Sequence, residues 1–133
     1  MRTKIFIGLA ALLGLMLALQ QLQAGQAVPS VDVKQAQAMV ANQGVLLLDV
    51  REPAEYAAVH ALNAKLIPLG EVARHLKELE NFKDRPIAVI CRSGRRSAEA
   101  VGILRQSGFS HAVNVQGGTN AWLQAGLEVV KQQ

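Results

Sequence analysis

Cysteine is almost absent from this sequence, which has a single one, Cys91, among 133 residues. A folded monomer therefore cannot contain an internal disulfide bond. The three histidines are dispersed along the chain and form no metal-ligand spacing with that cysteine, so we expect no metal site. A lone cysteine is either a buried small apolar residue or a thiol that is used chemically.

The sequence also has no broad basic stripe, although its formal net charge is +4. Without residues 1–27 the chain has 14 − 2 = 12 basic and 10 acidic side chains, which leaves a net charge of +2. Three of those basic residues, Arg92, Arg95 and Arg96, lie within five consecutive positions. A nucleic-acid surface needs a wider distribution, so this cluster favours a site for a small anion and no nucleic-acid partner.

Charged residues are missing between Lys4 and Asp32, where residues 5–19 are continuously apolar and a Gln-rich stretch ends at small residues. This layout predicts a signal peptide of residues 1–27, cleaved after Ala27, and a periplasmic location. The alternative is an uncleaved N-terminal membrane anchor that faces the periplasm. The apolar run of 15 residues is shorter than the ~20 needed to span a bilayer, which favours cleavage and no membrane association afterwards.

Residues 28–133 contain no internal repeat or linker, and 106 residues suit one domain. Apolar runs that alternate with helical patterns predict an α/β fold, with a small, mostly parallel sheet covered by helices on both faces. The predicted strands are residues 45–50, 65–67, 86–90 and 112–115. The predicted helices are residues 34–42, 53–58, 71–79, 97–106 and 120–124, of which the first is capped by Asp32 and ended by Gly44.

Cys91 directly follows a predicted buried strand and precedes a predicted helix, a position where parallel sheets collect ligands. The intervening loop contains Gly94, which can adopt the backbone angles of a tight turn. Such a loop directs several backbone N–H groups at one centre. With the three nearby arginines, these groups favour a thiolate over a thiol and also attract a small anion.

Several segments spread over nearly all of residues 28–133 resemble the rhodanese homology domain. They are 47–56 (LLDVREPAEY), His60, 67–69 (IPL), 91–97 (CRSGRRS), 114–118 (NVQGG), Trp122 and Gly126. The Cys91 loop resembles the Cys-Arg-x-Gly-x-Arg-Ser pattern of single-domain bacterial thiosulfate sulfurtransferases. With the predicted signal peptide, the chain is similar to the periplasmic phage-shock protein E type.

The resemblance implies a two-step sulfur transfer. Cys91 would attack the outer sulfur of thiosulfate, release sulfite, and pass the sulfur from a persulfide to cyanide or a thiol. The resemblance further implies no cofactor and an anion-binding cradle around the sulfur. The residues of that cradle are Arg92, Ser93, Gly94, Arg95 and Arg96.

Residues 59–64 (VHALNA) depart from the family pattern, because two glycines expected there are missing. Asn63 tolerates a left-handed backbone, whereas Val59 adopts one only at a cost, so we expect a local difference in this loop. Elsewhere, we expect ion pairs within the charged cluster of Asp49, Arg51 and Glu52, and we expect these pairs to fix a loop. We interpret His60 and His111 as hydrogen-bonded scaffold residues and Trp122 as part of the core.

Two other functions remain open at this stage. A phosphatase or arsenate reductase of the Cys-x5-Arg type uses a similar anion cradle, but the sixth residue after Cys91 is Ser97 rather than arginine. A non-catalytic rhodanese-like module that binds a partner or senses oxidants is the second alternative, and the intact cysteine argues against it. The physiological sulfur donor, the acceptor and the oligomeric state do not follow from the sequence.

Overall fold

The computed structural model describes residues 10–18 and 28–133. Residues 10–18 are helical and their side chains are exposed. Within these described ranges, no helix combines the length and the apolar character that a membrane span requires. The predicted cleavage after Ala27 lies outside the described residues, and the signal peptide and the periplasmic location stay predictions.

Residues 28–133 form a five-stranded parallel sheet in the order β1-β6-β5-β2-β4, and β3 and β7 form a separate antiparallel pair. The strands are β1 Ser30–Val31, β2 Leu46–Asp49, β3 Val59–Ala61, β4 Lys65–Leu66, β5 Ile87–Ile90, β6 Ala112–Val115 and β7 Val129–Lys131. The α-helices are α1 Val33–Gln43, α2 Pro53–Ala58, α3 Arg95–Gln106 and α4 Gly118–Gln124. This arrangement confirms the predicted α/β class.

The parallel sheet separates two apolar cores, because neighbouring residues of a strand point to opposite faces. On β5, Ile87 and Val89 pack on the side of α3, where Leu104 is fully buried. Ala88 and Ile90 pack on the other side with Trp122 of α4. The strand is apolar throughout because helices cover both of its faces. The predicted burial of Trp122 is confirmed.

The start and the end of α1 follow the local sequence signals. The Asp32 carboxylate accepts a hydrogen bond from the Gln35 backbone N–H at 2.8 Å, and the Gln35 side chain accepts one from the Asp32 N–H at 2.9 Å. These two bonds form a capping box that satisfies helix-end donors. At the other end, Gly44 adopts a left-handed conformation with φ 62°. Both predicted caps are confirmed.

The prediction of one helix over residues 71–79 was wrong. Two 3₁₀ helices, Leu69–Arg74 and Leu76–Phe82, occupy this region and are separated at His75. The backbone N–H of His75 donates to the carbonyl of Val72 at 3.1 Å, a bond over three residues rather than four. Apolar residues three or four positions apart fit both helix types, so the sequence pattern did not distinguish them.

The segment that lacks the two family glycines contains a strand instead of a left-handed turn at its start. Val59 is extended, with φ −161° and ψ 137°, and it pairs with Lys131 of β7. Asn63 has φ 68°, and within the described part of the chain it is the single residue other than glycine with a positive φ. Val59 therefore carries no strain, and the expected tolerance of Asn63 for this conformation is confirmed.

Candidate active site

Cys91 lies at the carboxyl edge of the parallel sheet, immediately after β5, and is 1% exposed. Its Sγ accepts a hydrogen bond from the backbone N–H of Gly94 at 3.1 Å. Gly94 has φ 105° and takes the N-cap position of α3, so this helix begins at Arg95 and not at the predicted Ser97. Arg95 and Arg96 consequently belong to the first helical turn, which brings the helix N-terminus closer to the sulfur.

The pKa of the Cys91 thiol lies below its ordinary value. Burial by itself raises this pKa, because it disfavours the charged thiolate. Hydrogen bonds from the Ser97 hydroxyl and from the backbone N–H groups of Ser97, Gly94 and Ser93 outweigh that effect. The loop thus favours the thiolate mainly through oriented hydrogen-bond donors, which the sequence predicts together with the three arginines.

The three arginines of the predicted cradle have different surroundings. Arg92 and Arg95 are exposed, as is Ser93. Arg96 forms a two-pronged ion pair with Glu55 of α2, with Nη1 and Nη2 each 2.8 Å from a carboxylate oxygen. This pair connects the start of α3 to α2 across the carboxyl edge of the sheet.

The N-terminus of α4 holds the Cys91 loop by its carbonyl groups. The Thr119 backbone N–H and hydroxyl donate to the carbonyl of Cys91 at 2.8 and 2.9 Å, and the Asn120 N–H donates to the carbonyl of Arg92 at 3.0 Å. Gly118 makes this approach possible, because a Cβ there would lie 2.5 Å from the carbonyl oxygen of Cys91. In the sequence, Gly117 and Gly118 stand out only as part of the 114–118 segment that resembles the family, and no local pattern predicts this contact.

Ser97 and Asn114 also belong to the site, although neither was predicted as a binding or catalytic residue. The Ser97 Oγ lies 3.2 Å from the Cys91 Sγ and 2.5 Å from the Asn114 Oδ1. The Asn114 Nδ2 donates to the carbonyl of Gly94 at 3.1 Å. A sequence signal for Asn114 existed, since a polar side chain near the end of an otherwise apolar buried strand calls for a hydrogen-bond partner.

Of the predicted cluster of Asp49, Arg51 and Glu52, the first two form an ion pair with both side chains buried. Glu52 is exposed and forms no ion pair with another described residue, so this part of the prediction was wrong. The Arg51 Nη2 lies 2.8 Å from the Asp49 Oδ2 and also donates to the carbonyl of Val59 at 2.7 Å. The His60 ring stacks on Tyr56 with its Nδ1 2.7 Å from the Tyr56 carbonyl oxygen, as expected of a scaffold residue. These contacts fix the segment between β2 and β3 beside the Cys91 loop.

Comparison with known proteins shows the family of this chain. The sequence profile described as Rhodanese-like domain matches residues 32–125, a span that includes the Cys91 loop and every partner named above. The chain belongs to the rhodanese-like domain family. Among the described residues of this rhodanese-like protein, no cluster of three or more metal-ligating side chains occurs.

Similar proteins carry sulfurtransferase names. A sulfurtransferase of Allochromatium vinosum is 36% identical over 95 residues, which cover 71% of this chain and 87% of that protein. The thiosulfate sulfurtransferase GlpE of Vibrio cholerae is 32% identical over 99 residues, or 74% of this chain and 92% of that protein. The crystal structure of a rhodanese-related protein from Thermoplasma volcanium matches with a TM-score of 0.69 and 35% sequence identity. The match covers 79% of this chain and 99% of that chain.

The Glu55–Arg96 pair predicts a pH-dependent stability. The Arg96 guanidinium chiefly lowers the pKa of Glu55 to about 2. A depressed pKa means that the pair stabilises the fold fully above the ordinary carboxylate value near 4.5 and loses its effect as the pH falls towards 2. We expect Glu55→Gln to lower the free energy of unfolding by about 1 kcal/mol near neutral pH, and this difference to shrink in acid.

Urea unfolding of both proteins between about pH 6 and about pH 3 measures the difference. Glu71→Gln is the matched control, because the Glu71 carboxylate lies 3.7 Å from Arg74 in an exposed pair. A difference between Glu55→Gln and the parent protein that stays constant over this pH range would contradict the assignment.

Proposed function

We propose that this rhodanese-like protein is a thiosulfate sulfurtransferase in which Cys91 is the nucleophile and the sulfur carrier. The Cys91 thiolate attacks the outer sulfur of thiosulfate, the bond between the two sulfurs of thiosulfate breaks, and sulfite leaves with the bonding electron pair. A thiolate or cyanide then attacks the outer sulfur of the persulfide. The bond to Cys91 breaks, and its thiolate is regenerated.

The observation that carries this proposal is the ring of donors around the buried Cys91 sulfur, which lowers its pKa. The same donors favour a persulfide, whose outer sulfur is anionic, and an incoming anion. We assign anion binding to the cradle residues that the family resemblance predicts. They are Arg92, Ser93, Gly94, Arg95 and Arg96.

The acceptor has room to approach beside the loop. A depression of about 270 Å³ lies between α2 and α4, and its lining includes Arg92 and Leu123. Arg92 provides a positive charge and Leu123 an apolar contact at this opening, and the Glu55 carboxylate of the lining is paired with Arg96. This combination suits a thiol acceptor with an anionic group. We place the reaction in the periplasm, on the strength of the signal-like N-terminal sequence.

Mass spectrometry of the intact protein tests the proposal. After treatment with thiosulfate we expect a mass gain of one sulfur atom, lost again on addition of cyanide with formation of thiocyanate. Cys91→Ala should show no gain, because the carrier atom is missing. A gain that persists in Cys91→Ala, or no gain in the parent protein, would contradict the proposal and favour a non-catalytic module. Release of phosphate from an aryl phosphate without thiocyanate formation would favour the alternative function as a phosphatase.

A further inference from the structure

The Ser97 hydroxyl has one proton and two acceptors within reach. The Asn114 Nδ2 donates to the Gly94 carbonyl at 3.1 Å, and this contact fixes the amide, because a carbonyl oxygen only accepts. The Asn114 Oδ1 consequently faces the Ser97 Oγ at 2.5 Å. Since Oδ1 also only accepts, the Ser97 proton has to point towards Asn114 whenever this short bond is made.

The Cys91 sulfur lies 3.2 Å from the same hydroxyl oxygen. When the Ser97 proton points to Asn114, the sulfur faces the lone pairs of that oxygen. A neutral thiol can donate its S–H to those lone pairs. A thiolate cannot, and it gains stabilisation only if the Ser97 hydroxyl turns and donates to the sulfur.

We propose that the Ser97 hydroxyl follows the charge of the Cys91 sulfur, donating to Asn114 when the sulfur is neutral and to the sulfur when it is a thiolate. Asn114 is then a positioning residue that acts through Ser97. No proton is transferred in this exchange, because only the O–H bond rotates. The inference rests on the proposed function for its role in a catalytic cycle, but not for its chemistry.

Both steps of sulfur transfer change the charge on the Cys91 Sγ. When the thiolate attacks the donor, Sγ becomes the neutral inner sulfur of the persulfide, and the Ser97 proton returns to Asn114. When the acceptor attacks the outer sulfur, Sγ leaves as a thiolate, and Ser97 donates to it. The exchange stabilises the departing Cys91 thiolate and leaves no buried acceptor without a donor after the persulfide forms.

We expect the loop to keep its shape when the Asn114 amide is removed. The Gly94 carbonyl also accepts a hydrogen bond from the Ala98 N–H at 3.3 Å, which is the first turn of α3. Substitution of Asn114 by the similarly sized leucine therefore removes the competing acceptor and leaves this anchor. We infer that Ser97 then donates to the sulfur at all times.

The pH dependence of Cys91 alkylation by iodoacetamide measures the effect directly. We expect Ser97→Ala to raise the midpoint by about one pH unit, since a donor to the thiolate is lost. Asn114→Leu should lower it by about half a unit, and should have no effect in the Ser97→Ala background. Ser107→Ala is the matched control, because its hydroxyl donates to Ile103 at the other end of α3.

The charged side chains around the loop are the same in all of these variants. They are Asp49, Arg51, Glu52, Glu55, Arg92, Arg95 and Arg96. An Asn114→Leu midpoint equal to that of the parent protein, or a shift that persists with Ser97→Ala, would overturn the inference. Because alkylation needs no sulfur donor, this result is independent of whether thiosulfate loads Cys91.

A second measurement does not depend on the folding of the Asn114 variant. The side-chain amide signal of Asn114 in ¹H–¹⁵N spectra should move with the titration of Cys91 in the parent protein. It should move much less in Ser97→Ala, where the connecting hydroxyl is missing. Shifts of equal size in the two proteins would show that the sulfur acts on Asn114 without Ser97, and would contradict the proposal.

Discussion

Gly118→Ala is expected to lower the free energy of unfolding by about 2–5 kcal/mol, from the combined cost of a left-handed alanine and of overpacking. Gly118 has φ 57°, and an added Cβ would lie 2.5 Å from the Cys91 carbonyl oxygen and 2.6 Å from the Arg92 carbonyl carbon. These are backbone atoms, which cannot rotate away as a side-chain end can. The start of α4 therefore has to separate from the Cys91 loop.

The same substitution should slow sulfur loading far more than the loss of stability requires. Thr119 and Asn120 donate to the carbonyls of Cys91 and Arg92, and these bonds orient the loop. A displacement of roughly 1 Å at a reacting atom costs on the order of 10²-fold in rate. We expect a reduction of this size in the rate of persulfide formation, measured without urea at a temperature where the variant is fully folded.

Urea unfolding and the rate of mass gain with thiosulfate test both parts. Gly102→Ala is the matched control, because Gly102 lies within α3 and an added Cβ meets no atom within 4 Å. Alanine is the better helix former, so this control should be neutral or slightly more stable. If Gly118→Ala unfolds and reacts like Gly102→Ala, the close approach of α4 to the loop has no energetic importance.

The parts of the fold that the sequence predicted well are those buried on both faces. The strands β2, β5 and β6 are short apolar runs, and such runs are typical of a parallel sheet covered on both sides. Their predicted bounds differ from the structure by at most one residue at either end. The family resemblance predicted the same region, and the match over residues 32–125 confirms it.

Three of the four short strands could not be predicted, because their hydrogen-bond partners are distant in sequence, whereas β4 lies close to its partner β2 in the chain and was predicted. β1, β3 and β7 have two or three residues each, too few for an alternating pattern. In the sequence, Val59 follows a predicted helix directly, and only its pairing with Lys131 identifies it as a strand residue. Tertiary pairing, rather than local propensity, decides such segments.

The hydrogen bonds of the site depend on register in a similar way. Asn114 of β6 lies beside Val89 of β5, and this pairing brings its amide to Gly94 and Ser97. The chain separates Ser97 from Asn114 by 17 residues, so no local motif reports the contact. The resemblance predicted Cys91 and its loop, whereas the contacts of Ser97 and Asn114 with that loop required the structure.

Arg51→Met is expected to destabilise the protein by about 3–5 kcal/mol, the usual cost of leaving a buried charge without its partner. Asp49 is 0% exposed, and the Arg51 Nε and Nη2 supply its side-chain donors at 2.8 to 3.1 Å. Methionine fills much of the same space but donates no hydrogen bond. Val59 also loses the donor of its 2.7 Å bond, which weakens the attachment of β3.

The double variant Asp49→Leu with Arg51→Met removes both charges and should recover more than half of that loss, since an apolar pair avoids the cost of burying ions. Arg74→Met is the control, because the Arg74 side chain is 74% exposed and its pair with Glu71 spans 3.7 Å. We expect about 0–1 kcal/mol for this exposed pair. Urea unfolding compares the three proteins with the parent. If Arg51→Met costs no more than Arg74→Met, the buried pair does not hold β2 and β3 together.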